Sequence, residues 1–415
     1  MPAASREVRP AGLAAAIDPL AVAPFVCATF LGKLAIPPLG ARGLNLFYPV
    51  LIATVVLGLA TGRLSFVTGR LVWFAATAAS IAVFQLFAVP EFSVASLALF
   101  MLVGLALAMR ATGGSAARCR AWFASAATVI AAAGVAQFAL QFVVPLQFVF
   151  PLENLLPPTW RTQMFNNVAT IDWRVAVYRV NGVFMLEASE FSQLCAIALV
   201  NELTATQAKT WRIVLFVAAI LVSYSGTGLM ILAVALPLVV LRSGRWDLVA
   251  RGLLLLIPLA LLAGPLHLES TLGRLNEFSG PGSSGYARFL GWTELFTPAH
   301  WPDASTVLFG HGAGQSNGAG DMVYSKIPYE YGALAGAAYL AFAVWVLFSS
   351  PCPLPLRVAV FLCAFWMNGA YSSWAVANML TLLAWPAEEP VEATSSLSVS
   401  RVAAAPMRPQ VTLPT

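Results

Sequence analysis

Charged side chains are scarce in this sequence. Only 10% of its 415 residues are Asp, Glu, Lys or Arg, whereas 59% are hydrophobic and the mean hydropathy is +0.80. Apolar runs of about 20 residues recur along the chain, and this is the length that crosses a bilayer as a helix. The composition therefore excludes an ordinary soluble domain. The net charge of +5 does not indicate a nucleic-acid partner, because the basic residues lie mainly in short loops between apolar runs.

The patterns of several enzyme classes are also missing. The five cysteines are scattered, so neither a disulfide framework nor a metal site is predicted. No two aspartates form an Asp-x-Asp pair, which argues against a metal-bound nucleotide-sugar site of the soluble type. Neither His-Glu-x-x-His nor Gly-x-Ser-x-Gly occurs, so zinc proteolysis and elbow-type serine hydrolysis have no support. No cofactor and no metal are expected.

The apolar runs predict an all-α, polytopic transmembrane bundle of about twelve spans with both ends in the cytoplasm. Two runs, 211–241 and 357–386, are too long for one ordinary span. Each is expected to form two short helices, turning at Ser223–Gly228 and near Gly369–Ser373. The other spans are expected near 20–38, 43–61, 70–89, 91–109, 121–149, 183–202, 252–266 and 327–349.

Residues 1–386 are expected to form one integral membrane domain. Two large polar loops, 150–182 and 267–325, are placed on the extracytoplasmic side by the positive-inside rule. The N-terminus is interpreted as a retained cytoplasmic tail rather than a signal peptide. The C-terminal tail 387–415 is rich in Ala, Ser, Pro and Val and is predicted to be disordered.

The segment Tyr178–Gln193 places three charges at the mouth of a hydrophobic helix. Arg179 precedes the apolar run, and Glu187 and Glu190 lie three residues apart, on one helical face. A carboxylate at membrane depth has to pair or face a cavity. Two interpretations stay open for these carboxylates: structural pairing, with Arg179 as one candidate partner, and a direct role on a substrate.

All three histidines lie in the loop 267–325. One of them, His311, stands in the stretch Leu308-Phe-Gly-His-Gly-Ala-Gly314, where glycines on both sides let backbone and imidazole approach a ligand closely. A tight turn explains the same glycines equally well. Arg288 lies in the same loop, within Gly285-Tyr-Ala-Arg-Phe-Leu-Gly-Trp292.

The order of these signals resembles the O-antigen polymerase and O-antigen ligase superfamily, integral membrane glycosyltransferases of the GT-C type. Arg-Val-Asn-Gly-Val-Phe-Met-Leu-Glu-Ala-Ser at 179–189 is followed by Ser-Tyr-Ser-Gly-Thr-Gly at 223–228. The loop with Arg288, the stretch 308–314 and Tyr-Glu-Tyr-Gly-Ala-Leu-Ala-Gly at 329–336 come next. The resemblance covers about 170–345 in motif and the whole chain in topology.

The resemblance implies a glycan on a polyprenyl diphosphate as the substrate, and an inverting, metal-independent transfer at the outer face of the bacterial cytoplasmic membrane. Arg179 and Arg288 match the family's outer-loop arginines and are expected to bind the diphosphate, since a guanidinium matches phosphate oxygens and stays protonated. The candidates for the general base are His311, Glu187 and Asp321. Membrane lipid, a flippase and chain-length regulator proteins are the expected partners.

Within the superfamily, the sequence favours a polymerase. Ligases tend to carry a histidine eleven residues before the glycine that opens the next helix, and counting back from Gly332 reaches Asp321. The Glu187-Ala-Ser element is close to a Glu-Pro-Ser pattern common in polymerases. A ligase that moves the glycan to lipid A core is the alternative. A transporter is a weaker one, because charge gathers at one outer surface rather than at the midplane of several helices.

Overall fold

The computed structural model describes residues 18–36, 44–87, 91–113, 115–162, 168–172, 175–244, 246, 264, 283–316, 322–369 and 372–387. This part of the chain is mostly helical. Four predicted features lie outside it: the N-terminal tail before Asp18, the span 252–266 apart from Gly264, the base candidate Asp321 and nearly all of the tail 387–415. The described residues of the loop 267–325 begin at Ser283.

The first ten helices are α1 (Pro19–Phe30), α2 (Phe47–Ala60), α3 (Thr68–Phe87), α4 (Val94–Leu107), α5 (Ala116–Leu140), α6 (Leu146–Val149), α7 (Pro151–Leu155), α8 (Ala188–Leu203), α9 (Thr210–Val222) and α10 (Gly226–Ser243). Those after the gap are α11 (Ser284–Phe289), α12 (Trp292–Leu295), α13 (Ala304–Phe309), α14 (Val323–Tyr331), α15 (Ala333–Phe348), α16 (Leu354–Leu362) and α17 (Ser373–Asn378). The last two helices continue as π-helical segments, Cys363–Met367 and Met379–Ala384.

Both long apolar runs divide as the sequence predicts. Residues 223–225 separate α9 from α10, and Asn368 follows the π-segment that ends α16. Four predicted helices differ most from the structure. The helix predicted near 20–38 ends at Phe30 and is followed by a short strand at Ala35–Ile36. The helix predicted near 183–202 begins at Ala188, because Gly182 and Val183 before it have positive φ. The run 121–149 ends at Leu140 because Pro145 starts the short helix α6, and the predicted helix near 327–349 is interrupted at Gly332, whose φ of 82° no α-helix accommodates.

Two helices of the described residues are long and apolar enough to cross a membrane, Thr68–Leu86 and Ala116–Leu140. Eight shorter apolar helices accompany them. Large hydrophobic side chains point outward from several helices, for example Ile52, Val56 and Val72, each at least half exposed. Outward-facing apolar residues on this scale are typical of a surface that something apolar covers.

Strands are a minor component of the described residues. They form three antiparallel pairs: β1 (Ala35–Ile36) with β2 (Leu44–Asn45), β3 (Leu64–Phe66) with β4 (Met109–Ala111), and β5 (Thr170–Asp172) with β6 (Val175–Tyr178). Each pair joins loops at a helix end. The β3–β4 pair joins the α2–α3 loop to the segment after α4, so these two basic loops lie at the same end of the bundle.

Polar contacts gather at two ends of the helical bundle. At one end, here called the Arg70 end, Arg70 donates to the Ala384 carbonyl at 2.9 Å, and Arg120 donates to the Asn201 side chain at 2.8 Å. Arg120 also donates to the Asn201 carbonyl at 3.2 Å, so both arginines contact carbonyl oxygens near the carboxyl ends of helical segments, which carry partial negative charge. The opposite end, here called the Arg288 end, contains most of the residues that the sequence predicts for the site.

Helix α8 lies at the centre and carries the chain between the two ends. Every residue from Glu190 to Leu203 is buried, and α8 packs against α5, α9, α10 and α16. The Phe191 ring lies so close to Gly134 and Gly182 that an added Cβ would come within 2.2 Å and 2.6 Å of it. Small residues on the neighbours therefore let α8 sit deep in the bundle.

Candidate functional site

The predicted site residues Glu187 and Arg288 meet at the amino-terminal end of α8. The Arg288 Nη2 atom lies 3.5 Å from the Glu187 Oε1 atom. Both side chains are partly buried, with 13% of the arginine and 25% of the glutamate exposed. This partial burial leaves the pair reachable from one side and strengthens its electrostatic interaction relative to an exposed pair.

The neighbouring elements hold Arg288 in a fixed position. Its Nε donates to the Met367 carbonyl at 2.9 Å, which lies at the end of the π-segment after α16. Its own carbonyl accepts from the Tyr324 hydroxyl at 2.8 Å, and the Tyr324 ring stacks on Trp366 with centroids 5.0 Å apart. Burial raises the pKa of the Tyr324 phenol to about 12, so the phenol remains a donor. Arg288 is therefore anchored both at its Nε and at its backbone carbonyl.

Glu187 is the residue immediately before α8, and its backbone is extended, with φ −142° and ψ 164°. Its side chain makes no capping hydrogen bond and accepts instead from the Ser189 hydroxyl. One turn further on, the buried Glu190 carboxylate accepts from the Leu186 amide at 3.2 Å. The two acids thus have different surroundings: Glu187 faces Arg288, whereas Glu190 accepts a hydrogen bond from the backbone that precedes the helix.

Arg179 lies apart from this pair. Its backbone amide donates to the Ala169 carbonyl at 2.9 Å and its Nη2 approaches the Ile171 carbonyl at 3.5 Å, which ties it to the β5–β6 pair. The Arg179 Nε is buried without a hydrogen-bond acceptor among the described residues. Within that part of the chain, no ion pair joins Arg179 to Glu187 or Glu190. The partner of the Glu187 carboxylate is Arg288 instead.

His311 is held by an aromatic and backbone environment. Its ring stacks on Tyr329, with centroids 3.9 Å apart and planes at 7°. Its Nδ1 lies 3.2 Å from the Tyr329 carbonyl oxygen and its Nε2 lies 2.5 Å from the His300 carbonyl oxygen. A carbonyl oxygen can only accept a hydrogen bond, and a neutral imidazole carries one N–H, so a neutral His311 can donate to only one of these carbonyls. Both ring nitrogens nevertheless face carbonyl oxygens rather than open space.

The glycines beside His311 serve close packing. A Cβ on Gly310 would lie 2.4 Å from the Glu330 carbonyl oxygen, and a Cβ on Gly332 would lie 2.0 Å from the Leu308 carbonyl oxygen. Both glycines also have positive φ, 80° and 82°. The stretch 308–314 therefore lies directly against 329–332, and the turn interpretation accounts for its glycines.

The Ser223–Gly228 turn brings α10 against α8 just below the Glu187–Arg288 pair. The Ser192 hydroxyl donates to the Ser225 carbonyl at 3.2 Å, and the Thr227 hydroxyl donates to the Ser189 carbonyl at 3.2 Å. A Cβ on Gly228 would meet the Ser192 Oγ at 2.3 Å. This motif therefore supports the amino-terminal end of α8 by close approach of the two helices.

Sequence analysis missed a second charged cluster at the same end. Lys33, which follows α1, forms a buried ion pair with Glu153 of α7. The signal was present, because a lysine within a predicted apolar span has to find a partner. Glu153 was not singled out, since it belongs to a polar outer stretch where charge is ordinary. The Glu190 carboxyl group lies within electrostatic range of both Lys33 and Arg288.

The structure thus joins Glu187 with Arg288, places Arg179 and His311 in separate surroundings, and leaves Asp321 outside the described residues. No group of three or more His, Cys, Asp or Glu side chains in the described ranges is arranged to hold a metal ion. Comparison with protein families, with curated proteins and with solved structures finds no match for this chain. The site's own chemistry and the order of its motifs therefore indicate the function.

Proposed function

We propose that this protein is a bacterial cytoplasmic-membrane glycosyltransferase that polymerises polyprenyl-diphosphate-linked repeat units of a surface polysaccharide. The observation that carries the proposal is the Glu187–Arg288 pair at the start of α8. It combines an acid that can accept a proton with an anchored cation that can receive a leaving diphosphate. The order of the motifs, which resembles that of the superfamily, also supports the proposal.

The proposal includes about twelve spans with the Arg288 end outside. It is supported by the alternation of α1–α5 and α8–α10 between the two bundle ends, and by basic residues at the Arg70 end. Positive charge beside the spans favours the cytoplasmic side. The site would then face the leaflet in which a lipid-linked glycan is presented.

The reaction needs one bond formed and one broken. The hydroxyl of an acceptor repeat unit attacks the anomeric carbon of the donor glycan, a glycosidic bond forms, and the bond to the diphosphate oxygen breaks. The hydroxyl proton passes to the Glu187 carboxylate. The departing polyprenyl diphosphate carries the bonding electron pair, and the positive charge of Arg288 stabilises the developing negative charge. Arg179, which matches an outer-loop arginine in the motif order, is the proposed second diphosphate ligand.

Glu187 is the preferred base among the candidates. The carboxylate faces the arginine that would bind the leaving group and is a quarter exposed. Both nitrogens of His311 face carbonyl oxygens, so the histidine would have to leave its stacked position before accepting a proton. Glu187 as base and Arg288 as diphosphate ligand together form the smallest set that the reaction requires.

The lipid-linked glycan that accumulates in a deletion strain separates polymerase from ligase. We expect a single repeat unit on the lipid, since every earlier step would proceed and polymerisation would stop. A long polymer on the lipid would instead identify a ligase that transfers a finished glycan. A strain without any change in lipid-linked glycan would contradict both.

A further inference from the structure

The turn before α8 has a backbone that costs free energy to hold. Gly182 and Val183 are both left-handed, with φ of 66° and 69°. Glycine adopts this conformation readily, whereas a β-branched residue does so rarely and under strain. Such a conformation persists only where the surroundings determine it, so the contacts of this turn are informative.

A buried ion pair holds the strained residue. The Lys33 ammonium donates to the Val183 carbonyl at 2.6 Å and also to the Glu153 carboxylate. The side chains of Lys33 and Glu153 are 1% and 7% exposed. The loop after α7 in turn fixes Lys33, because the Thr162 amide donates to the Lys33 carbonyl at 2.9 Å.

Two carboxamides complete the network. The Asn181 side chain donates to the Glu153 carboxylate at 2.8 Å. Gln137, from α5, accepts from the Asn181 amide at 3.2 Å and from the Val183 amide at 3.3 Å. The backbone of the turn is therefore held by Gln137 at the Asn181 and Val183 amides and by Lys33 at the Val183 carbonyl, while Glu153 holds the Asn181 side chain.

A short hydrogen-bonded segment connects this turn to Glu187. The Met185 amide donates to the Asn181 carbonyl at 3.2 Å, and the Leu186 amide donates to the Glu190 carboxylate. Glu187 is the next residue. A shift of the turn would therefore move the carboxylate that faces Arg288.

We propose that Lys33, Glu153 and Gln137 are positioning residues that hold the Asn181–Val183 turn and so set the Glu187 carboxylate against Arg288. The catalytic part of this inference rests on the proposed function, whereas the holding of the turn does not. A buried ion pair that only contributes to stability is the competing account. Replacing both partners by apolar residues separates the two, since such replacement often leaves stability nearly unchanged.

The first experiment combines Lys33→Met with Glu153→Leu in the full-length protein and measures hydrogen exchange of peptides covering 181–187. We expect exchange of this segment to rise by about tenfold or more while peptides within α5 keep their rates. The control combines Arg63→Met with Asp18→Asn, which removes an exposed pair at the opposite end and retains the cap of α1. Unchanged exchange in the first variant would overturn the proposal.

The second experiment measures polymer synthesis per membrane-inserted molecule in the same variants. We expect a loss of about tenfold or more, because a misplaced reacting group slows catalysis strongly. Adding Val183→Gly should restore synthesis to within about threefold, since glycine adopts the same φ without strain. Faster exchange with full synthesis, or no rescue by glycine, would contradict the positioning role.

Gln137→Met is the alternative variant for both experiments if the double variant does not reach the membrane. It removes two amide contacts of the turn without leaving a buried charge, and the same rise in exchange and loss of synthesis are expected. A wild-type protein that makes no polymer would refute the proposed function, whereas the exchange measurements would still support or overturn the holding of the turn.

Discussion

Arg288 and Glu187 form an ion pair of 3.5 Å although 101 residues separate them in sequence. The pair connects a loop helix, α11, to the start of α8, which is buried from Glu190 to Leu203. The Met367 carbonyl and the Tyr324 hydroxyl fix Arg288 from two further elements. One acid and one cation are thereby held together at the bundle end that is proposed to face outward.

Replacing Arg288 with alanine is expected to reduce polymer formation by more than about a hundredfold, because the leaving diphosphate loses its cation. The variant should still accumulate in the membrane. The measurement is the surface-polysaccharide ladder, normalised to the amount of membrane protein. Arg63→Ala is the matched control, since Arg63 is an exposed arginine at the opposite end. Normal long chains in the Arg288 variant would remove the diphosphate-binding role.

Replacing Glu187 with glutamine tests the base. The side chain keeps its size and its contact with Arg288 but cannot accept a proton, so activity should fall by about a hundredfold or more. Glu91→Gln is the control, because Glu91 is exposed and precedes α4 at the same bundle end. Equal activities of the two variants at saturating substrate would contradict the assignment of Glu187.

His311→Phe distinguishes the histidine's structural contacts from a chemical role. Phenylalanine retains the stacking on Tyr329 but has no ring nitrogen. We expect less than about a tenfold loss of activity, much smaller than for a missing general base. A loss of activity as large as that of Glu187→Gln would instead identify His311 as the general base.

Gly228→Ala should destabilise the protein. The added methyl group would lie 2.3 Å from the Ser192 Oγ and 2.5 Å from the Ser192 carbonyl oxygen. Overpacking of this kind costs about 1–3 kcal/mol, which should lower the midpoint of thermal unfolding in detergent. Gly226→Ala is the control, because nothing lies within 4 Å of its added Cβ. Similar unfolding midpoints for the two variants would refute the close approach of α10 to α8.

Hydropathy and charge predicted the helical character and the two divided runs, but several helix limits differ. Pro145 precedes a short helix within one apolar run, and Gly332 has a positive φ within another. Hydropathy averages over windows and does not detect either effect. The β-pairs at the helix ends are two to four residues long, too short for an alternating pattern to appear.

For the site, the motif order selected Glu187 and Arg288, but their mutual contact could not be predicted because it depends on tertiary packing. The pairing of Glu187 with Arg179 was a reasonable alternative from local spacing, and a residue much further along the chain took that place. Lys33 illustrates a signal that was available. A lysine in an apolar run requires a buried partner, yet nothing in the sequence identifies that partner as Glu153.

The most direct test of the account is reconstitution of the purified protein in liposomes with polyprenyl-diphosphate-linked repeat units. We predict a ladder of lipid-linked oligomers, with one free polyprenyl diphosphate released for each glycosidic bond formed, in the wild type with or without EDTA. Arg288→Ala and Glu187→Gln should release none above background. Absence of a ladder in the wild type, or an undiminished ladder in both variants, would contradict the central claim.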